Sequence, residues 1–283
     1  MDLTSPRVIK EIAAQFGFVF KKGLGQNFLT SGTVLQDIVE AAEIEDGVLE
    51  IGPGFGVLTA ALAEKADKVV ALEVDQRLPE ILSFTLAGYS NVKVMLQDVL
   101  KTDLKALLKE EFGDRRVSVA ANLPYYITTP ILTRLVEQQL PLKNIVVMVQ
   151  KEVAQRICAA PGTKDYGAIS VLCQYYTVPE VVTVVPAGLF VPPPKVDSAV
   201  LKLAVRSEPA VQVADQKIFF RTVKGAFSQR RKTLLNCLVS AFSIPKPELA
   251  ALLEENGITP TRRGETLSLD EFARLSDALG KRA

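Results

Sequence analysis

Val48-Leu49-Glu50-Ile51-Gly52-Pro53-Gly54-Phe55-Gly56 is a short apolar run that breaks on three alternating glycines and passes, over Leu58 to Ala66, into helical apolar spacing. A strand, a glycine turn and a helix are the unit from which parallel α/β sheets are built. Glycine at such a turn permits the tight reversal and lets a ligand approach the backbone with no Cβ in the way. Taken alone, the run reads equally as a plain tight turn. The glycines stand as GxGxG rather than the GxGxxG of dinucleotide sites, and no Lys-Ser/Thr follows to grip phosphate. That pattern fits an adenosine bearing a small amino-acid tail better than one bearing a pyrophosphate.

On either side the same rhythm continues. Val69 to Val74, Val92 to Leu96, Val117 to Ala120 and Ile145 to Val149 are near-continuously apolar, as parallel strands covered on both faces must be, and Ile131 to Gln139 has helical spacing. Repeated strand and helix predict a doubly wound α/β sheet with right-handed crossovers. Two later strands, Val181 to Val185 and Ala199 to Val205, are separated by Pro186 and Pro192-Pro193-Pro194, which cannot donate to a ladder and so form a loop. Beyond about residue 206 the pattern predicts helices over Ile218 to Ala241, Lys246 to Asn256 and Leu269 to Leu279, with Asn256-Gly257 as a stop and Ser268 as an N-cap. The expected domains are 1–206, α/β and ligand-binding, and 207–283, small and helical.

The 283 residues are 48% hydrophobic and 23% charged and contain no histidine. Ser-His-Asp and Cys-His catalysis, a His general base and His-ligated metals are thereby excluded. Cys158, Cys173 and Cys237 are far apart with no CxxC pair, so neither a disulfide framework nor a metal site is expected. No apolar run approaches the roughly 18–20 residues of a membrane span, and Met1 to Arg7 lacks the order of a signal peptide. A cytoplasmic protein with no membrane partner is the expectation.

Glu73, ending the strand after the glycine turn, is placed to accept hydrogen bonds from ribose hydroxyls, and Asp98, ending the next, from an adenine amine. Each reads alternatively as a helix cap. Asn122-Leu123-Pro124-Tyr125 follows the fourth strand. An adenine N6 amine is a poor nucleophile because its lone pair is delocalised into the ring. The Asn122 side-chain oxygen and the Pro124 carbonyl can accept its two hydrogens and aim the lone pair at a methyl group, while Tyr125 offers a stacking face worth about 1–3 kcal/mol. Such chemistry works by positioning and electrostatics and needs no histidine. The competing reading is an Asn-Pro turn with a buried tyrosine.

The formal net charge is only +1, yet Lys217, Arg221, Lys224, Arg230, Arg231 and Lys232 fall in one stretch without an acid. On a continuous helix Lys217, Arg221, Lys224, Ser228 and Arg231 share a face that can follow a phosphate backbone, and Phe220, Val223, Phe227 and Leu234 form an apolar stripe suited to packing on the larger domain. A solvated face is the plainer alternative. Lys21, Lys22, Arg262 and Arg263 are weaker candidates for RNA contact.

Gly25-Gln26-Asn27-Phe28-Leu29, the glycine turn, Asn122-Leu123-Pro124-Tyr125, Gln150-Lys151-Glu152-Val153, Phe190 to Val200 and Phe227 to Thr233 together resemble the ribosomal RNA adenine N6-dimethyltransferase family, nearest its bacterial small-subunit branch. The resemblance runs from about residue 20 to the C-terminus. It implies a seven-stranded Rossmann-like methyltransferase sheet with a C-terminal all-helical domain, S-adenosyl-L-methionine as methyl donor without a metal, and 16S rRNA of the small ribosomal subunit as partner; a monomer is the simplest expectation for a protein that docks on a large particle. It further implies that Asn27 and Leu29 close over the donor, Gly52 and Gly54 take its methionine end, Glu73 its ribose and Asp98 its adenine. Asn122 then serves donor and target alike, and Phe190 sandwiches the target base against Tyr125. Rivals are the 23S rRNA dimethyltransferases of macrolide resistance, DNA adenine methyltransferases with Asp/Asn-Pro-Pro-Tyr, and a non-catalytic RNA-binding assembly factor.

Overall fold

The structure is a computed structural model in which residues 1–20 and 26–282 are described. A seven-stranded sheet is formed by β1 (Gly47–Ile51), β2 (Lys68–Glu73), β3 (Val92–Leu96), β4 (Val117–Asn122), β5 (Leu142–Gln150), β6 (Thr177–Val185) and β7 (Ser198–Val205). Their order is β3-β2-β1-β4-β5-β7-β6. Strands β1 to β5 pair in parallel, and β7 runs antiparallel to β5. The winding reverses between β1 and β4, where the carboxyl ends of an open α/β sheet leave a crevice.

β1 is buried along its whole length, and β4 up to Ala121, as their apolar sequences require. β3 departs from the expected two-sided burial: it is an edge strand with Lys93 and Leu96 exposed. At the other edge Val178, Val181, Val182 and Val184 of β6 are exposed. Helices also form over Pro6–Gln15, Gly32–Ala42, Leu78–Thr85, Leu104–Phe112, Lys151–Ile157 and Ala168–Tyr176, where the pattern reading assigned none. Their start signals are ordinary: proline opens the first, and the Ser31 hydroxyl accepts from the Val34 N–H to cap the second.

The chain divides into two compact units, Met1–Ala154 with Val178–Val205, and Gln155–Thr177 with Arg206–Ala283. Residue 206 is thus one crossing among several. Gln155–Thr177 joins the second unit because Tyr166, Val171 and Tyr175 share one core with Phe219, Val223, Leu238 and Phe272. The single helix expected over 218–241 is two, Gln216–Ala226 and Leu234–Phe242, the second capped by Thr233. Its apolar stripe is also corrected: Val223 and Leu234 are buried, and Phe220 and Phe227 half-buried, in the second unit's own core. Gly257 adopts φ 72° after Lys246–Glu255, and Ser268 and Glu271 cap Leu269–Gly280 reciprocally. Among the described residues no helix is long and apolar enough to cross a membrane.

Candidate active site

Within the first unit a cleft of about 1050 Å³, open mouth included, lies over the carboxyl ends of β1, β2 and β4. Gly52, Gly54 and Gly56 adopt φ of 73°, 59° and 81°, the left-handed region that disfavours side chains. At Gly54 space is short as well: a Cβ would lie 2.6 Å from Cε1 of Phe28. The Phe28 ring packs on Phe55 of the glycine turn at 4.6 Å between centroids.

Glu73 is buried, and its carboxylate gathers the end of β2 and the glycine turn. Oε1 accepts from the N–H groups of Val74 and Asp75 at 2.8 Å each, and Oε2 from that of Gly54 at 3.3 Å. Burial pushes its pKa above the carboxylate range while these three N–H groups pull it down. Glu50, quoted in the motif but given no role there, is 1% exposed, and its Oε2 has no hydrogen-bond partner among the described residues. Burial pushes the Glu50 carboxyl up to about 8, which the nearby Thr59 hydroxyl, itself without a well-formed hydrogen bond among the described residues, offsets in part and the Glu73 charge increases. The sequence signal was an acid inside an otherwise apolar strand.

Asp98 is not a helix cap, for the next helix, Leu104–Phe112, is capped by Asp103. Asp98 lines the cleft, and its Oδ1 accepts from the Leu100 N–H at 2.9 Å in the following turn. Asn27 and Leu29 line the same cleft, and Leu29 pairs with Phe190 in a two-residue antiparallel ladder. Asn122, at the end of β4, donates from Nδ2 to the Asn27 carbonyl at 2.9 Å. Only the amide nitrogen can donate, so the amide oxygen is its other arm.

The cleft wall thus assembles Asn27, Leu29, Gly52, Gly54, Glu73, Asp98, Asn122 and Pro124, but not Tyr125 or Phe190. The Pro124 carbonyl already accepts from the Ile127 N–H at 3.2 Å and the Thr128 hydroxyl at 3.1 Å. The Tyr125 hydroxyl lies 2.7 Å from Ser198 Oγ, and burial pushes its pKa up. Phe190 is 2% exposed and belongs to the core. The aromatics that do stand on the wall are Phe28, whose ring is buried, and Tyr126, 57% exposed. The signal for Tyr126 was the doubled aromatic Tyr125-Tyr126.

In the second unit Lys217, Arg221 and Lys224 are exposed on helix Gln216–Ala226, whereas Arg230, Arg231 and Lys232 are exposed on the turn after it rather than on a shared helical face. Arg221 donates through Nη2 to the Ala241 carbonyl at 2.7 Å and lies over the Phe242 ring, and Arg230 donates to the Lys164 carbonyl at 3.0 Å. Arg262 is committed to Glu271 and Thr266. Lys21 and Lys22 lie outside the described residues.

A family model described as ribosomal RNA adenine dimethylase matches residues 17–281. Two relatives named ribosomal RNA small subunit methyltransferase A, from Bacillus mycoides (strain KBAB4) and Bacillus cereus (strain B4264), are each 53% identical over 98% of this chain and 97% of their own. Among solved structures, a dimethyladenosine transferase from Plasmodium falciparum is 26% identical with a TM-score of 0.74, covering 88% of this chain and 95% of its own. The 23S rRNA methyltransferase ErmE is 28% identical with a TM-score of 0.68, covering 90% and 100%.

Proposed function

The chain belongs to the ribosomal RNA adenine dimethylase family, and from that premise we propose that it dimethylates N6 of two adjacent adenines near the 3′ end of 16S rRNA in the small ribosomal subunit, with S-adenosyl-L-methionine as donor. It is an rRNA adenine dimethyltransferase. The observation that carries the proposal is that Asn122 lines the cleft with its Nδ2 pinned to the Asn27 carbonyl at 2.9 Å, which leaves the amide oxygen as its acceptor arm.

The residues present fit the donor. Gly52 faces open space that a side chain would fill, Gly54 has no room for one against Phe28, and the unpartnered Glu50 Oε2 is a buried acid suited to a cationic amino-acid tail. Glu73, Asp98, Asn27 and Leu29 complete the set that would hold it. The donor, when bound, supplies an electrophilic methyl group on a sulfonium sulfur.

The protein's part is to prepare the nucleophile. Asn122 Oδ1 accepts an N6 hydrogen, which localises the nitrogen lone pair and stabilises the positive charge that nitrogen gains. Pro124 is a second acceptor only if the Ile127 N–H or the Thr128 hydroxyl yields its place on that carbonyl. Ser198 steadies the Tyr125 ring against which the extruded base stacks; Phe190 joins that stack only by leaving its buried position. The N6 proton, acidic once nitrogen is alkylated, leaves to water, so the absence of histidine costs nothing.

The small-subunit target is favoured by the match of Phe190 to Lys195 and Phe227 to Lys232 to that branch and by relatives of that name at 53% identity, against 28% for ErmE. The second unit, residues 207–283 in the main, is the proposed RNA-binding part of a cytoplasmic monomer, through Lys217, Arg221, Lys224, Arg230, Arg231 and Lys232. Replacing Arg230 and Arg231 together with alanine lowers RNA affinity about 10-fold near 0.1 M salt, flattens its salt dependence by roughly one to two units of slope and spares donor binding. Filter binding across a salt series checks this, and an unchanged slope removes both residues from the interface.

The deciding assay measures labelled methyl transfer to small subunits that lack the modification. Label on both adenines is the expected result. Binding of subunits without transfer of label would leave the assembly-factor reading in its place.

A further inference from the structure

Beside Glu73 stands a second acidic side chain, on the same cleft wall as Gln26, to which the proposed donor and base contacts give no role. Asp75 is 8% exposed, and two arms meet on it. Arg77 donates through Nε to its Oδ1 at 2.8 Å, while Gln26 donates through Nε2 to its Oδ2 at 2.9 Å. Arg77 holds Asp75 well below the usual carboxylate range, so the acceptor stays charged. The Arg77 guanidinium is itself fixed: Nη1 donates to the Val19 carbonyl at 2.9 Å, and the group lies over the Phe18 ring at 4.4 Å. Gln26 is followed by Asn27, whose carbonyl receives the Asn122 amide.

We propose that Gln26, Asp75 and Arg77 are positioning residues for methyl transfer: they hold the Asn27 carbonyl in the place that turns the oxygen of the Asn122 amide toward the target amine. This rests on the proposed role of Asn122. The physical argument is one of orientation. An asparagine amide can rotate about χ2 and present either nitrogen or oxygen at nearly equal steric cost, so a fixed carbonyl on one side decides which atom faces the cleft. Phe28, packed on Phe55, anchors the segment through its apolar side. The Asp75 contact anchors residue 26 through a charge-assisted hydrogen bond, which is shorter-ranged and more directional.

The clean variant is Gln26→Ala, because Arg77→Ala strips a buried carboxylate of its partner and endangers folding. At saturating donor and RNA, Gln26→Ala lowers kcat about 10-fold, in line with the sensitivity of transfer to ångström-scale misplacement. Donor affinity by calorimetry stays within about 3-fold of wild type. The reading that separates positioning from general weakening is the double variant. If Gln26 acts through Asn122, adding Gln26→Ala to Asn122→Ala lowers the residual rate no further. Additive losses, or a kcat unchanged by Gln26→Ala, overturn the inference, as does a large loss of donor affinity, which would mark a direct donor contact. A wild-type protein that transfers no methyl group at all sinks the underlying function instead, so the two failures are distinguishable.

Discussion

Asn122→Ala lowers methyl transfer at saturating donor and RNA by roughly 10²–10³-fold, the cost of removing one preorganised polar group aimed at developing charge, while subunit binding persists. The loss falls on kcat because the amide interacts most strongly with the amine as nitrogen becomes positive, a charge absent in the ground state. RNA affinity, which we propose rests on phosphate contacts of the second unit, stays at the wild-type value. Alanine also leaves the Asn27 carbonyl without its 2.9 Å donor, a modest cost of about 1 kcal/mol to the fold. Single-turnover transfer with labelled donor separates the chemical step from product release. A variant that transfers at the wild-type rate would show that the amide is not the acceptor. The Pro124 carbonyl, held by Ile127 and Thr128, is no ready substitute, which is why a large effect is expected from one side chain.

What could be read beforehand follows from how local each signal is. β1, β2, β4 and β5 stood out because burial on both faces writes an unbroken apolar run, and the glycine turn because three positive φ values admit little else. The break between the two helices at 227–233 was hidden: Ser228-Gln229-Arg230-Arg231-Lys232 carries neither glycine nor proline, so the helical period reads on through it. Residue types at the site were legible, whereas the faces they present were not. Tyr125 and Phe190 read as two base platforms, yet one hydroxyl is taken up by Ser198 and the other ring is packed in the core. Those are tertiary contacts across some 70 residues of chain in the first case. The same holds for Gln26 and Asp75, 49 positions apart, whose meeting no spacing rule announces.

Glu50→Gln makes the fold more stable than the wild type at pH 8 and nearly indifferent at pH 4.5, while weakening the donor. Unfolded, the Glu50 carboxyl loses its proton near its ordinary 4.5; folded, it keeps the proton up to about 8. Between those values the unfolded state releases a proton that the native state retains, so raising the pH favours unfolding, by up to about 1.4 kcal/mol per pH unit. Above the folded value both states are ionised and the penalty stops growing. Glutamine has the same shape and no proton to lose, so the stability difference between the two proteins reads Glu50 together with its coupling to Glu73, the remaining titrating side chains being shared. Urea unfolding followed by circular dichroism from pH 4.5 to 8.5 reads the difference directly. A difference that stays flat across the window would mean that the Glu50 carboxylate is ionised in the folded protein. The penalty has a functional counterpart: a carboxyl kept neutral by burial, beside Glu73 and with one oxygen unpartnered, gains a reason to ionise when a cationic amino group enters. Donor binding to the wild type therefore releases a proton at pH 7, detectable as a dependence of the calorimetric heat on the buffer's ionisation enthalpy, and Glu50→Gln abolishes that dependence along with at least 10-fold of the affinity, about the 1.4 kcal/mol that loss of one charge-assisted contact costs.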